Sequence, residues 1–530
     1  MNIHTSITPS EFRRSPLVAL GFLVVFVVAA YEFAQFVIND DLIGLAYVAM
    51  ALVMGAFVIG MLKNWRNGLY FFVVWLLFED FARKFLGNNM AIYFAKDFLV
   101  AIVYLSFFVA YRRKQVQTFR PPFLVPLLIF IWFGVMQVFN PASSTVIYGV
   151  LGMKLFFAYV PLLFVGYALL NSETELRRFF FVNVCLAVII GGLGIAQAIL
   201  GPTFLNPEVV GEDIRLGSTL YRLSSSGLLA HRPSSVFVST GRYADYLLVC
   251  WLLSLGFAGY VILRKGRGRN FVFISVAVLA AAIVLSTSRG VFSWSAGSLI
   301  AAGVAFVWGA PWRQRQVMRV SLGVLRAGLG VVLALVLLSV IFPDALASRV
   351  AIYSETLLPG QRTSEIGIRT WDYPVRNFLG AFDGPRWPYG YGLGTTALGT
   401  QYVARIFHAA PLGWGVESGF GTIVVEMGIG GLALWLIMSL SIIFAAWKVV
   451  KKLKGTPWFP LSFVIFWYAL LLLFPMTFAG MQAYEDFVMN AYLWLLLGIL
   501  FRLPTLTPSP GFEVAGTIPD CRQQLQGNRL

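Results

Sequence analysis

The first residues here whose type and placement suggest chemistry are arginines outside the apolar runs. Two long polar stretches, about 202–241 and 343–414, carry them. The first holds Arg215, Arg222 and Arg232, with Arg242 at its end. The second holds Arg349, Arg362, Arg369, Arg376, Arg386 and Arg405. Neither contains a lysine, whereas basic clusters elsewhere use both residues. A guanidinium presents a rigid fork of donors that grips phosphate bidentately and never deprotonates. The pattern therefore fits a phosphate or pyrophosphate ligand. It also fits arginines paired with the stretches' own acids, Glu212, Asp213, Glu355, Glu365, Asp372 and Asp383.

The end of the second stretch adds groups able to move a proton. His408 and Glu417 precede a long apolar run that also contains Glu426. A histidine serves as a general base near neutral pH, and a carboxylate does so when its pKa is raised. Glu426, two helical turns beyond Glu417, reads as a packing residue. Lys154, in the outer half of its own apolar run, either snorkels or joins the same cationic site. Ten aromatic residues crowd the second stretch, from Trp371 to Trp414, and suit either sugar stacking or a membrane-interface belt.

These groups need a scaffold, and composition says which kind. The 530 residues are 58% hydrophobic and 12% charged, with a mean hydropathy of +0.78, which is polytopic membrane protein rather than soluble core. Net charge is +16, but much of it falls in short clusters beside apolar runs, as topology signals do. Three scattered cysteines form neither a disulfide framework nor a metal set. A span needs about 20 apolar residues. Fourteen stretches qualify, near 16–38, 42–62, 68–86, 91–111, 122–140, 146–170, 179–201, 242–263, 270–287, 290–309, 320–342, 416–447, 458–478 and 487–502. Basic clusters mark every second connection, which puts both termini on the cytoplasmic side and the two arginine-rich stretches outside. The run after Leu412 exceeds what a bilayer requires and is expected to begin re-entrant or tilted. Residues 503–530 read as a disordered cytoplasmic tail. Glu79, Asp80, Arg83 and Lys84 are expected to pair among themselves in an outer hairpin.

Arg289 needs separate comment. Within 279–303 it looks like an arginine at mid-bilayer, which costs about 2.5–3.5 kcal/mol. Two short helices joined by an outer "TSRG" turn remove that penalty by bringing Arg289 to the interface. "GYGLGTT" (390–396) lacks the spacing and the strand-to-helix context of a nucleotide fingerprint.

Three segments together resemble the O-antigen ligase/polymerase superfamily of bacterial membrane proteins. They are "STSRG" (286–290), "HRPSSVFVSTGRYADYL" (231–247), and "RTWDYPVRNFLGAFDGPRWPYGYGLGTT" followed by "VESGFGTIVVEMGIGGLALW". The similarity covers roughly residues 180–450. It implies an all-α fold of the GT-C type, with the large extracytoplasmic loop between the eleventh and twelfth helices. It implies a glycosyltransferase that needs no metal or cofactor and polymerises polyprenyl-pyrophosphate-linked repeat units at the bacterial inner membrane. Its partners would be that lipid-linked glycan, membrane lipid and a chain-length regulator or other export proteins. A ligase passing the glycan to another acceptor is the alternative, and a flippase of lipid-linked sugars a second one. The resemblance assigns Arg232 and Arg289 to the diphosphate, Arg369 to the motif opening the large loop, and His408 to the base. Ala409 stands where the family's asparagine would follow that histidine, which makes Glu417 a rival base. Lys154 remains a candidate for the cationic site.

Overall fold

The computed structural model describes residues 42–86, 90–117, 119–206, 220–223, 229–264, 268–312, 343–357, 367–397, 399–480 and 484–506, with a few isolated residues besides. The chain divides into two compact units: residues up to Phe72 with Phe98–Ser106, and Val73–Asp97 with Phe107 onward. Three helices begin the described chain, α1 Leu42–Lys63, α2 Trp65–Phe85 and α3 Met90–Arg112. Within the first unit, Phe57 stacks on Phe71 at 4.0 Å. There the Ser106 hydroxyl donates to the Met61 carbonyl at 2.9 Å.

The second unit continues with α4 Leu124–Val138, α5 Val146–Phe157, α6 Leu162–Leu169 and α7 Glu173–Leu200. A short antiparallel hairpin follows, β1 Tyr221–Leu223 and β2 Leu229–His231. Then come α8 Thr240–Leu263, α9 Arg269–Leu285 and α10 Arg289–Gly309. The large loop holds α11 Pro343–Leu357, a π turn at Ile368–Asp372, α12 Tyr373–Gly380 and α13 Thr400–Phe407. The last apolar helices are α14 Gly419–Lys452, α15 Phe459–Leu471 and α16 Phe487–Arg502.

Several apolar helices start at a side chain that satisfies otherwise orphaned amides. Ser172 and Glu175 form a capping box at α7, with Glu175 N bonded to Ser172 Oγ at 3.2 Å and Asn171 N to the Glu175 carboxylate at 2.6 Å. Ser239 caps α8, and Asp486 caps α16 through the Val488 and Met489 amides.

Among the described residues, eight helical stretches are long and apolar enough to cross a membrane, which makes this a membrane-embedded helical protein. α4 and α9 are shorter apolar helices. The expected spans at 16–38 and 320–342 lie wholly or largely outside the described residues, as does the tail from 507 onward. The expected span 146–170 breaks into α5 and α6 around Pro161.

At the centre, α16 packs against α6, and α8 packs against α15. In lipid, close backbone approach replaces the hydrophobic drive between helices. A Cβ on Gly166 would overlap the Leu495 carbonyl, and one on Gly498 the Leu163 carbonyl. The glycines therefore let α6 and α16 touch backbone to backbone.

The two ends of this bundle differ chemically. At one end Arg264 grips Glu173 with two nitrogens, at 2.8 and 2.9 Å, and Arg502 Nε donates to Leu170 O. The other end of α7, 28 residues and about 42 Å away, is where β2, the α9–α10 turn and α11 meet.

α14 breaks at Gly428, whose φ of 71° and ψ of −176° are not helical. The "GYG" turn of the large loop docks on this break. Tyr391 N donates to Val425 O at 2.8 Å and Gly392 N to Glu426 O at 2.9 Å, while Ile429 N donates to Trp387 O at 3.1 Å. Loop backbone thus replaces the helical bonds lost at the break, so that buried backbone groups stay paired. Buried Glu426 joins in, its Oε1 accepting from the Thr396 amide and hydroxyl at 3.1 and 2.7 Å. The long run after Leu412 is therefore a short helical entry, a break and a full span.

Candidate functional site

The "STSRG" turn owes its shape to its own hydroxyls. Ser286 Oγ donates to Ile283 O at 2.7 Å and accepts from Ser288 N at 3.2 Å. Thr287 takes a left-handed φ of 57°, and its hydroxyl donates to His231 O at 3.4 Å. Arg289 is thereby the first residue of α10 and half-buried.

Against this turn lies Arg349, only 2% exposed. Its Nε donates to Leu285 O at 3.1 Å, and its Nη2 donates to His231 O at 3.0 Å and Ala198 O at 3.4 Å. Leu285 ends α9 and Ala198 lies in the last turn of α7, so the guanidinium sits on the negative ends of two helix dipoles. One turn further along α11, the Tyr353 hydroxyl donates to Val284 O at 3.0 Å. Burial pushes the Tyr353 phenol above its ordinary pKa, and the Arg349 and Arg232 cations oppose that shift. Arg349 was one arginine among several in the sequence. Its spacing gives no sign that three carbonyls from distant segments would converge on it.

Arg232 follows β2 directly, and its amide donates to Leu220 O at 2.6 Å. Its Nε is buried and has no hydrogen-bond partner among the described residues. Both ring nitrogens of His231 are also buried, without hydrogen-bond partners among the described residues. Burial, reinforced by the Arg349 cation, pushes His231 down to about 4, so the ring is neutral near pH 7. The segment is pinned on its other side. The Lys84 ammonium donates to Ser234 Oγ and Ser235 O at 3.0 and 2.7 Å, and Gln197 Oε1 accepts from the Ser234 and Ser235 amides at 2.9 and 2.7 Å. The backbones bearing Arg232 and Arg289 thus meet beside Arg349, with donors of Arg232 and His231 unspent. Such an arrangement suits an anion with several oxygens.

The other candidates fall elsewhere. Glu417 is exposed at the end of the large loop, where its carboxylate accepts from the Tyr373 hydroxyl and its amide donates to Asn377 Oδ1 at 3.2 Å. Arg369 lies on the π turn one helical turn before Tyr373, and its side chain falls outside the described residues. His408 caps α13 with a left-handed φ of 50° and is exposed, and no described hydrogen bond reaches it. Its neighbours are tied down instead: Ala410 O accepts from Ser144 Oγ at 2.7 Å and Ala409 O from the Tyr148 hydroxyl at 3.3 Å. No described hydrogen bond or ion pair joins Glu417 or His408 to the arginine turn.

Lys154 belongs to a separate polar cluster, where it pairs with Asp97 at 2.6 Å and sits 4.8 Å from the Tyr93 and Phe94 rings. There Lys96 pairs with Glu79 at 3.0 Å, and Arg242 bridges Asp80 and Asp486. The expected self-paired hairpin is accordingly only partly formed. Arg83 does pair with Asp80 at 3.2 Å, but Glu79 turns to Lys96 and Lys84 to the 234–235 backbone. The reason is burial. Glu79, Asp80 and Lys84 face the interior, at 0%, 1% and 3% exposure, where each needs a close partner.

Compared with protein-family models and with curated proteins, the chain matches none.

Proposed function

We propose that this protein is a membrane glycosyltransferase that polymerises polyprenyl-pyrophosphate-linked oligosaccharides on the outer face of a bacterial cytoplasmic membrane. The observation that carries this reading is the buried Nε of Arg232, without a hydrogen-bond partner among the described residues, beside Arg349 and the "STSRG" turn. An unsatisfied buried donor costs about 1–3 kcal/mol, and a ligand oxygen arriving there removes that cost.

In the reaction an acceptor hydroxyl oxygen attacks the anomeric carbon of the donor glycan. The bond from that carbon to the diphosphate oxygen breaks, and the diphosphate leaves with the electron pair. Arg232 and Arg289 neutralise the developing charge from fixed positions in a water-poor setting. Glu417 takes the hydroxyl proton, its carboxylate oriented by Tyr373 and its backbone by Asn377. His408 lacks such a support.

The test is made in the producing cells, with lipid-linked glycans resolved by length. Arg232→Ala is expected to leave single repeat units on the carrier and no surface polymer, with protein level and melting unchanged. Arg232→Lys is expected to behave nearly as badly, because one ammonium cannot replace a fork. Full-length polymer from Arg232→Ala cells overturns the reading. Long chains accumulating on the carrier would identify a ligase instead.

A further inference from the structure

The large loop contains an open cleft of about 510 Å³, lined by Asn377 but by none of the residues given a direct role in the reaction. That volume lies within the range of small-molecule sites, about 300–1,000 Å³. Arg376, Asn377 and Asp383 line it from the α12 side and Trp414 from the other. Arg376 and Asp383 are both exposed and form no ion pair among the described residues, so their donors and acceptors stay available.

The Trp414 ring is held without being covered. A Cβ on Gly384 would lie 2.6 Å from its Cζ2, so a residue without a side chain seats the benzo edge. Tyr391 meets it edge-on at 5.8 Å and 85°. The indole nevertheless stays 36% exposed. Asn377 is equally fixed, its Nδ2 donating to Tyr373 O at 2.9 Å and its Oδ1 accepting from Glu417 N. Val416 lines the cleft and Glu417 follows it directly in the chain.

A preset aromatic ring facing one balanced cation–carboxylate set and a fixed amide matches an uncharged pyranose. The ring takes the C–H face of the sugar, and the polar groups take its hydroxyls. Resting on the glycosyltransferase reading, we propose that this cleft is the acceptor subsite. It holds a neutral sugar of the growing chain with its hydroxyl toward Glu417.

The experiment uses the full-length protein in lipid nanodiscs and measures sugar contact by saturation-transfer NMR. The probe is the neutral oligosaccharide fraction released by dilute acid from the producing cell's own surface polysaccharide. Wild-type protein is expected to bind it. Trp414→Ala and Arg376→Gln should each weaken binding by about tenfold, while Lys452→Ala, at the C-terminal end of α14, leaves it unchanged. Gly384→Val, which tilts the indole without removing it, should weaken it as well. No binding to wild-type protein, binding indifferent to Trp414→Ala, or binding confined to uronic-acid oligosaccharides would each overturn the proposal. Sugar binding that depends on Trp414 in a protein whose Arg232→Ala form still makes polymer would keep the subsite and discard the polymerase reading. The two ideas therefore fail separately.

Discussion

Replacing Gly428 by alanine tests whether the broken helix and the large loop hold each other in place. At φ 71° and ψ −176° the residue occupies a region essentially reserved for glycine. Holding alanine there costs about 1–3 kcal/mol. The added Cβ would also overlap the Pro388 carbonyl, whose carbon would lie 2.7 Å away, and backbone cannot swing aside like a side chain. Straightening α14 relieves both problems but pushes the 387–392 turn off the helix. The three docking bonds made by Tyr391, Gly392 and Ile429 are then lost, at about 0.5–1.5 kcal/mol each. The first route costs about 1–3 kcal/mol before the overlap is counted and the second about 1.5–4.5 kcal/mol, so a loss of at least about 1 kcal/mol is expected either way. Gly430→Ala is the control, because its Cβ would only touch Phe133 at 3.6 Å. In a helix interior that change is neutral or mildly favourable. Purified full-length variants are heated in detergent, and the folded fraction is read by size exclusion with fluorescence detection. Gly428→Ala should melt clearly below wild type and lose polymer synthesis, with Gly430→Ala indistinguishable from wild type in both. Equal melting of Gly428→Ala and wild type would refute the docked-break argument.

Three further outcomes follow from the same geometry. Arg349→Ala removes the donor from three carbonyls and should destabilise the protein by about 3 kcal/mol or more. Arg232→Ala should leave the melting point in place, so thermal scans of the pair separate the structural arginine from the ligand-facing one. Asp80→Asn takes a buried charge away from Arg242 and Arg83, and about 3 kcal/mol is expected because Asp486 still holds Arg242. Reduced melting that Arg242→Leu in the same chain partly restores would confirm the charge imbalance. Finally, His231 binds a proton in the unfolded chain near its ordinary 6.5 but only near 4 when folded. Its contribution is therefore complete above pH 6.5 and lost as pH falls from 6.5 to 4, on the order of 1–2 kcal/mol for a half-buried ring. His231→Gln should flatten melting temperature against pH across that window, and an unaltered slope would count against it.

Much of the scaffold was legible because it follows from local rules. Apolar runs of sufficient length, Ser, Thr or Asp ahead of them, and a hydroxyl-rich "STSRG" turn depend on nearest neighbours, and the helices stand where those signals lie. Placing Arg289 at the start of a second helix rather than inside one long helix needed only the recognition of that turn. The same local reasoning treated charges as pairing with their sequence neighbours, and there it failed. Lys84 reaches residues 150 positions away, and Glu79 finds Lys96.

What the sequence alone determined was where helices run and which residue types stand outside them. Which of those residues act together was decided by tertiary structure. Arg349 bonds carbonyls of Ala198, His231 and Leu285 because three helix and strand ends converge there. Arg232, of the same type in an equally lysine-free stretch, keeps a buried Nε with no hydrogen-bond partner among the described residues. Identical side chains differ in role because satisfaction of a donor depends on distant backbone, and no local pattern encodes that.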